Sequence, residues 1–237
     1  MNTSNAPIFV KADKLPIYSI SPFTALDFPD KTACIAWFAG CNMRCPYCYN
    51  PDIVLGKGKL GYSDLIAFLN KRKGLLDAVV LSGGECTLHQ GLLELCHTIK
   101  EMGFQIKIDT NGSRPEVLKK AVEEELIDYI ALDYKAPEKT YRTVTQSKLY
   151  PRFEQSLALL LQSDIAFEVR TTVHSALLSE SDLHEMVTYL EDKGYRGKLF
   201  LQHFVSDTAT LQTLPPSDYR VVRKIYSTEA VKVLLRN

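Results

Sequence analysis

Short apolar runs alternate along the chain with segments whose apolar residues recur at helical spacing. Each run predicts a strand, and each is followed by a helical pattern or by a loop that leads into one. Helix boundaries are marked as well: Pro115 stands where a first helical residue is expected, and Ser179 opens a sequence similar to a capping box. Alternation of strand and helix favours parallel strands joined by crossover helices. The predicted strands are residues 32–38, 78–81, 105–109, 128–133, 166–173 and 198–203.

Polar and metal-binding residues follow these predicted strands. In a parallel α/β sheet the functional loops lie at the carboxyl ends of the strands, because helices cover the faces of the sheet. Five of the six predicted strand ends carry such residues, so the sequence predicts a site at that edge. These residues are the cysteine-rich segment 41–48, Gly83-Gly84-Glu85, Asp109-Thr110-Asn111-Gly112, Asp133-Tyr134-Lys135 and His203.

The composition is that of a globular protein: 46% of the 237 residues are apolar, which is enough to bury a substantial core. No repeat, low-complexity tract or linker divides the chain, so we expect one domain, with a lead-in over residues 1–31, a core over 32–203 and a C-terminal helix and edge strand over 204–237. The chain has 28 Lys and Arg residues together and 28 Asp and Glu residues together, so no net charge favours binding to nucleic acid or to a membrane surface. With no secretory signal or apolar span evident, we expect a cytoplasmic protein.

Three of the six cysteines are crowded into one short segment, where Cys41, Cys45 and Cys48 have the spacing C-x3-C-x2-C. Closely spaced thiolates can hold a single zinc ion or one face of an iron–sulfur cube. A structural zinc site needs a fourth ligand, and the chain has no second C-x2-C or H-x3-H pair. A zinc-stabilised binding module is therefore the weaker interpretation. A cluster with three protein thiolates would leave one iron free to bind something else.

The cysteine spacing, with Tyr47 as the aromatic residue before the last cysteine, resembles the signature of the radical S-adenosylmethionine (radical SAM) superfamily. The resemblance implies a 4Fe-4S cluster held by Cys41, Cys45 and Cys48, whose fourth iron is chelated by the amine and carboxylate of S-adenosylmethionine. It places Tyr47 among the residues that contact this cofactor. It also implies an α/β fold, the partial (β/α)6 barrel of the radical SAM type, which is an open version of the eight-stranded barrel.

Gly83, Gly84 and Glu85 resemble the GGE element of the superfamily, which receives the amino group of the methionine part of the cofactor. Paired glycines let the backbone approach a ligand closely, although an ordinary tight turn would explain them as well. The family commonly has proline after the glutamate, where this chain has Cys86. We expect Cys86 to be a small packing residue rather than a metal ligand.

Two further strand ends resemble the DTNG and D-x-K elements of the activases of glycyl radical enzymes. Taken alone, the Asn-Gly pair would be a turn and the charged residues would be solvated at the rim. The resemblance implies that Lys135 pairs with the carboxylate of the cofactor and that Asp109 or Asn111 hydrogen-bonds its sugar or methionine end. Asp133 or Glu85 would then balance the charge of Lys135.

Arg170 and His203 lie on the last two predicted strands. An arginine within an apolar strand is costly unless it is paired, so Arg170 either forms an ion pair across the barrel or contacts a ligand. A histidine at a strand end is, by itself, more often a hydrogen-bonded structural residue. The activase resemblance gives both residues a place near the cofactor.

Residues 21–30 and the Tyr49-Asn50-Pro51 segment resemble the activating proteins of anaerobic ribonucleoside-triphosphate reductase, with pyruvate formate-lyase activase as a near relative. The resemblance implies an enzyme that takes an electron from a flavodoxin- or ferredoxin-type donor and cleaves S-adenosylmethionine to methionine and a 5′-deoxyadenosyl radical. This radical would remove a hydrogen atom from a glycine of a partner enzyme. A radical enzyme that acts on a small molecule, such as a deazapurine precursor, is the alternative that keeps the same cofactors.

Overall fold

The computed structural model describes residues 15–236, apart from residues 207, 219 and 224. Its strands form one sheet of eight strands in chain order. The first strand is antiparallel to the second, and all later neighbours are parallel. The strands are β1 (Ile17–Thr24), β2 (Ala33–Phe38), β3 (Ala78–Gly83), β4 (Gln105–Thr110), β5 (Tyr129–Asp133), β6 (Ala166–Val173), β7 (Gly197–His203) and β8 (Val231–Arg236).

Helices connect the parallel strands, as crossovers in such a sheet require. A short 3-10 turn at Cys86–Leu88 also follows β3. The helices are α1 (Pro51–Leu55), α2 (Tyr62–Asn70), α3 (Leu92–Glu101), α4 (Pro115–Glu123), α5 (Glu138–Thr145), α6 (Tyr150–Leu161), α7 (Glu180–Asp192) and α8 (Arg220–Arg223).

The six strands predicted from the sequence are confirmed as β2 to β7, and their bounds differ from the prediction by at most two residues. The edge strands β1 and β8 do not pair with each other in the described part of the chain, so the sheet is an open partial barrel, as expected. β8 is the expected C-terminal edge strand and pairs with β7. β1 was not predicted: it lies within the expected lead-in, of which residues 1–14 are outside the described residues.

Alternate residues of each strand face opposite sides of the sheet. One side is covered by helices and contributes residues such as Leu81 and Ile108 to the main hydrophobic core. The other side is the interior of the partial barrel, where Phe28, Ile35 and Val80 belong to a second, smaller core cluster. This apolar cluster fills the interior toward the amino ends of the strands, so polar side chains are left for the carboxyl ends.

The predicted helix boundaries are confirmed where the sequence marked them. α4 begins at Pro115, and α7 is capped by Ser179, whose hydroxyl accepts a hydrogen bond from the Asp182 N–H at 3.2 Å. The Asp182 carboxylate accepts in return from the Ser179 N–H at 2.9 Å, which completes a capping box. None of the helices in the described ranges has the length and apolar character needed to cross a membrane.

Candidate active site

A cavity of about 240 Å³ lies at the carboxyl ends of the strands. Side chains from each strand between β2 and β7 line it, together with the loop that carries the three clustered cysteines. All but two of the residues that the sequence predicts for the site line this cavity, and the two exceptions are Glu85 and His203. The predicted residues that line it are Cys41, Cys45, Tyr47, Cys48, Gly83, Gly84, Asp109, Asn111, Asp133, Lys135 and Arg170.

The cysteine loop follows β2 and is held by hydrogen bonds to other elements. Gly40 begins the loop with a φ of +81°, a left-handed conformation that favours glycine, and its N–H donates to the carbonyl of Ile53 at 2.8 Å. The N–H of Arg44 donates to the carbonyl of Thr145 at 2.9 Å, and the Arg44 guanidinium donates to the carbonyl of Cys41 at 2.7 Å. These bonds fix the path of the loop around the cavity.

Burial raises the pKa values of two of the clustered cysteines. It raises the pKa of Cys41 to about 12, and the carboxylate of Glu85 adds to the shift. It also raises the pKa of Cys45, although the ammonium of Lys135 opposes the effect. The hydroxyl of Tyr47 is buried beside the Cys45 thiol and has no oxygen or nitrogen partner among the described residues. Since thiolates are the forms that bind iron, binding of a metal group here releases protons.

Within the described ranges, no group of three or more His, Cys, Asp and Glu side chains is arranged to hold a single metal ion. A structural zinc site requires ligands that converge on one ion. In an iron–sulfur cube each thiolate binds a different iron, so the thiols must share a cavity rather than meet at one point. Three soft thiols from one loop in one cavity fit a cube.

Gly83 and Gly84 are required by close approach of two backbone segments. A Cβ at Gly83 would lie 2.4 Å from the backbone nitrogen of Phe38, and one at Gly84 would lie 1.9 Å from the carbonyl oxygen of Gly40. The Gly84 N–H donates to the carbonyl of Phe38 at 2.8 Å. The glycines therefore bring the end of β3 against the start of the cysteine loop, and both of them also line the cavity.

The side chain of Glu85 braces the loops behind the cavity and is not among the described residues that line it, so its expected contact with the cofactor stays a prediction. It is 1% exposed and accepts hydrogen bonds from the hydroxyls of Thr87 at 2.5 Å and Thr110 at 2.8 Å. It also accepts from the N–H of Asn111 at 2.7 Å. Burial raises the pKa of Glu85 despite these bonds. Its carboxylate points to protein donors because the 3-10 turn and the end of β4 surround it.

Asn111 connects the end of β4 to the cysteine loop. Its side-chain amide donates to Asn42 Oδ1 at 3.0 Å and lies 3.9 Å from the sulfur of Cys41. Its side-chain oxygen accepts from the N–H of Ser113 at 3.0 Å, and Asn42 in turn donates to the Ser113 hydroxyl at 2.8 Å. Asn111 is therefore both a cavity residue and a structural link to a predicted iron ligand.

Five charged side chains form a continuous chain of ion pairs along the interior. Lys107 Nζ lies 2.8 Å from Asp109 Oδ1, and Arg170 Nη2 lies 3.3 Å from Asp109 Oδ2. Arg170 Nε contacts Asp133 Oδ1 at 2.6 Å, and Lys135 Nζ contacts Asp133 Oδ2 at 2.9 Å. This set, which we call the charge chain, has three cationic and two anionic members. Its Lys135 end lies in the cavity near Cys45, and the ammonium there favours an anionic group beside it.

The members of the charge chain hold one another in the charged state. Burial alone would raise the pKa of Asp133, but Arg170 and Lys135 outweigh it and lower that pKa to about 2. Burial likewise opposes the lowering of the Asp109 pKa by Arg170 and Lys107. The pKa of Lys135 is raised against burial by Asp133. Arg170 thus forms the ion pair across the barrel that was one of its two expected roles, and it also lines the cavity.

His203 ends β7 and is not among the described residues that line the cavity, so its expected contact with the cofactor stays a prediction. Burial lowers the pKa of His203. Its neighbour Gln202 lines the cavity instead, because consecutive residues of a strand face opposite sides of the sheet. The same alternation could have identified Lys107 and Thr172, which the sequence analysis missed: each stands two residues from a predicted site residue on its own strand.

Residues 208–218, which we call the C-terminal segment, contact the cysteine loop. The N–H groups of Leu211 and Gln212 donate to the carbonyls of Cys48 at 3.0 Å and Pro46 at 3.1 Å. Nearby, the rings of Tyr49 and Phe204 stack with centroids 5.4 Å apart. Chain segments that are distant in sequence thus enclose the loop from outside the barrel.

Comparison with known proteins agrees with this arrangement. The sequence profile of the Radical SAM superfamily matches residues 35–192. A protein of Methanocaldococcus jannaschii, provisionally described as a glycyl-radical enzyme activating enzyme, is 31% identical over 185 residues, which cover 76% of this chain and 77% of that protein. The pyruvate formate-lyase-activating enzyme of Clostridium pasteurianum is 34% identical over 40% of this chain and 43% of its own length. The 7-carboxy-7-deazaguanine synthase of Methanopyrus kandleri is 31% identical over 42% of this chain and 48% of its own length.

The same fold occurs in a solved structure, that of Streptococcus suis SuiB bound to S-adenosylmethionine, with a TM-score of 0.64. The match covers 86% of this chain at 14% identity, and it spans about half of SuiB, 52% of its length. At this identity the likeness shows the fold alone. The profile match, the long match to the archaeal relative and the shared partial barrel together show that the chain is an enzyme of the radical S-adenosylmethionine superfamily.

Proposed function

We propose that this enzyme activates a glycyl radical enzyme, and that its partner is anaerobic ribonucleoside-triphosphate reductase. The observation that carries the proposal is a single cavity lined by three thiols of one loop and by the positively charged end of the charge chain. Two relatives described as activating enzymes of this kind support the activase class. The resemblance of residues 21–30 to reductase-activating proteins supports the choice of partner.

Cys41, Cys45 and Cys48 would hold a 4Fe-4S cluster and leave one iron for S-adenosylmethionine. When bound, the two cofactors supply the electron transfer that breaks a carbon–sulfur bond of the sulfonium and the 5′-deoxyadenosyl radical that removes a hydrogen atom from glycine. The residues of the chain supply binding, orientation and exclusion of water. A flavodoxin- or ferredoxin-type protein is the proposed electron donor. We place the enzyme in the cytoplasm, since no disulfide joins any of its six cysteines, as is usual in a reducing compartment.

Lys135 is the residue proposed to bind the carboxylate of S-adenosylmethionine. An ammonium has three donors, and Asp133 takes one of them at 2.9 Å, so donors are left for a ligand. An added carboxylate would also neutralise the excess charge of the charge chain. The backbone of Gly83 and Gly84 would receive the amino group of the cofactor.

The remaining predicted cavity residues would either contact the other parts of the cofactor or hold the contacting side chains in position. Asp109 and Asn111 are proposed to face its sugar or methionine end, although both already bond to protein groups. Tyr47 lies between two of the iron ligands in sequence and has an unsatisfied hydroxyl. Arg170 acts chiefly by holding Asp133 and Asp109 in place.

A radical enzyme that acts on a small molecule is the second candidate. This candidate is favoured by the match to the deazaguanine synthase of Methanopyrus kandleri, which covers 42% of the chain. The match to the archaeal activating-enzyme relative covers 76% of the chain, and the DTNG and D-x-K elements resemble those of activases. We therefore prefer a protein substrate, with pyruvate formate-lyase as the alternative partner.

The proposal is tested by anaerobic incubation of the iron-loaded protein with S-adenosylmethionine, reduced flavodoxin and the reductase. We expect electron paramagnetic resonance to detect the doublet of a glycyl radical on the reductase, and no doublet with the Cys45→Ala variant. A doublet on pyruvate formate-lyase alone would change the partner but keep the activase class. Formation of 5′-deoxyadenosine with no doublet on either partner would contradict the proposed function.

A further inference from the structure

Four neutral polar side chains line the cavity without a hydrogen-bond partner among the described residues: Tyr47 and Asn50 at the cysteine loop, and Thr172 and Gln202 on neighbouring strands. Thr172 lies near the end of β6 and Gln202 near the end of β7, and the two residues are directly paired in the sheet register. Both side chains are partly exposed to the cavity. Neither bonds to another residue in the part of the chain that the structure describes. Adjacent strands therefore present a hydroxyl and a carboxamide side by side to whatever occupies the cavity.

The arginine and the indole nearest to this pair are already engaged. Arg170 precedes Thr172 by two residues on the same face of β6, about 6.6 Å away along the strand, and it binds Asp109 and Asp133. The indole N–H of Trp37 donates to a serine at 2.8 Å. Beyond the charge chain the cavity thus continues into a neutral side at β6 and β7, whose hydrogen-bonding capacity is unused.

This neutral side matches the chemistry of a peptide group. A glycine has no side chain, so an enzyme that must hold one can recognise only its backbone N–H and C=O. A carboxamide offers both a donor and an acceptor, and a hydroxyl does the same. We propose that Gln202, assisted by Thr172, binds the backbone of the substrate glycine and determines specificity for it; this inference rests on the proposed function.

Such a contact would position the reacting atom. Two hydrogen bonds to one peptide group fix both the location and the direction of the glycine Cα relative to the charged side of the cavity. Correct positioning of reactants contributes strongly to rate, and a small displacement is costly. Gln202 and Thr172 would act on the protein substrate and leave binding of S-adenosylmethionine to the charge chain and the glycine pair.

The test compares Gln202→Leu and Thr172→Val, which preserve side-chain size, with Gln162→Leu as the matched control on the exposed end of α6. The iron-loaded enzymes are assayed for glycyl radical formation on the reductase, or on the lyase if that partner gives the doublet. We expect each cavity variant to raise the KM for the partner about tenfold, as for the loss of one hydrogen bond. Affinity for S-adenosylmethionine, and its cleavage without a partner, should match wild type.

A second measurement uses two synthetic peptides that span the radical glycine of the partner, one with glycine and one with N-methylglycine. Both keep the Cα hydrogens, but the second lacks the N–H. We expect wild type to bind the glycine peptide about tenfold more tightly and Gln202→Leu to bind both alike. If wild type and Gln202→Leu show the same ratio of affinities for the glycine and N-methylglycine peptides, the inference is overturned.

Three outcomes separate this inference from the function on which it rests. An unchanged partner KM in both variants would overturn the inference and leave the activase function intact. A loss of S-adenosylmethionine affinity with an unchanged partner KM would make Gln202 a cofactor contact and would also overturn it. If wild type forms no doublet on either partner, the proposed function fails and the inference fails with it.

Discussion

Replacement of Lys135 with methionine removes the ammonium at one end of the charge chain. Lys135 and Asp133 lie 2.9 Å apart, with side chains only 17% and 18% exposed, so solvent screens their interaction weakly. Methionine keeps an apolar stem in place of the lysine methylenes. The charge chain then has two cations and two anions, and its excess positive charge disappears.

The size of the effect follows from these contacts. Loss of a charge-assisted hydrogen bond to the cofactor carboxylate corresponds to about 1.5–3 kcal/mol. That is a decrease of roughly 10- to 150-fold in affinity for S-adenosylmethionine. The free energy of unfolding should fall by about 1–3 kcal/mol, less than for an isolated buried pair, because Asp133 keeps Arg170 at 2.6 Å.

The assay is anaerobic titration of the iron-loaded protein with S-adenosylmethionine, with iron content and chemical denaturation measured on the same samples. Lys120→Met is the matched control, since Lys120 is exposed on α4. We expect normal iron content in both variants and weaker binding in Lys135→Met alone. Unchanged affinity in Lys135→Met would refute the assignment of the carboxylate site.

Three further predictions concern the supports of the site. Glu85→Ala leaves the Thr110 hydroxyl and the Asn111 N–H without an acceptor, so the free energy of unfolding should fall by about 2–4 kcal/mol in denaturant titrations; weaker cofactor binding at unchanged stability would show a direct contact instead. The lowered pKa of Asp133 stabilises the fold above its unfolded pKa, roughly 3.9, and this contribution of about 2 kcal/mol is lost as the pH falls toward about 2. In denaturant titrations at several pH values, the free energy of unfolding of Asp133→Asn should lack this loss between about pH 4 and pH 2. The same pH dependence in Asp133→Asn and wild type would argue against a stabilising Asp133 carboxylate. Leu211→Pro removes the N–H that donates to Cys48, so the cluster should bleach faster in air, and an equal half-life would mean that the C-terminal segment does not protect it.

The parallel strands and their functional edge could be predicted because each depends on local patterns. β2 to β7 are short apolar runs bounded by turn residues, and these are buried strands whose sequence reflects their environment. β1 was missed because it is an edge strand with an irregular register, and Pro22 and two serines interrupt its apolar pattern. Its pairing with β2 depends on the neighbour rather than on its own sequence.

The site was predicted in position but not in the direction of every side chain. Motif resemblance singled out Glu85 and His203, but no motif shows that the Glu85 carboxylate accepts a hydrogen bond from Thr110, or that Gln202 of the same strand lines the cavity where His203 does not. Lys107 carries no motif, and its burial becomes evident only when it pairs with Asp109. The bond from Leu211 to Cys48 joins segments far apart in sequence, and no local pattern predicts it.

The most direct test is spectroscopy of the anaerobically purified, iron-loaded protein before and after S-adenosylmethionine is added. If three cysteines hold the cluster, the protein should be brown and contain about four irons per chain. The electron paramagnetic resonance signal of the reduced cluster should change when S-adenosylmethionine is added. Cys41→Ala, Cys45→Ala and Cys48→Ala should each lose the iron. A protein without a four-iron cluster, or one whose resonance is the same with and without S-adenosylmethionine, would contradict the assignment.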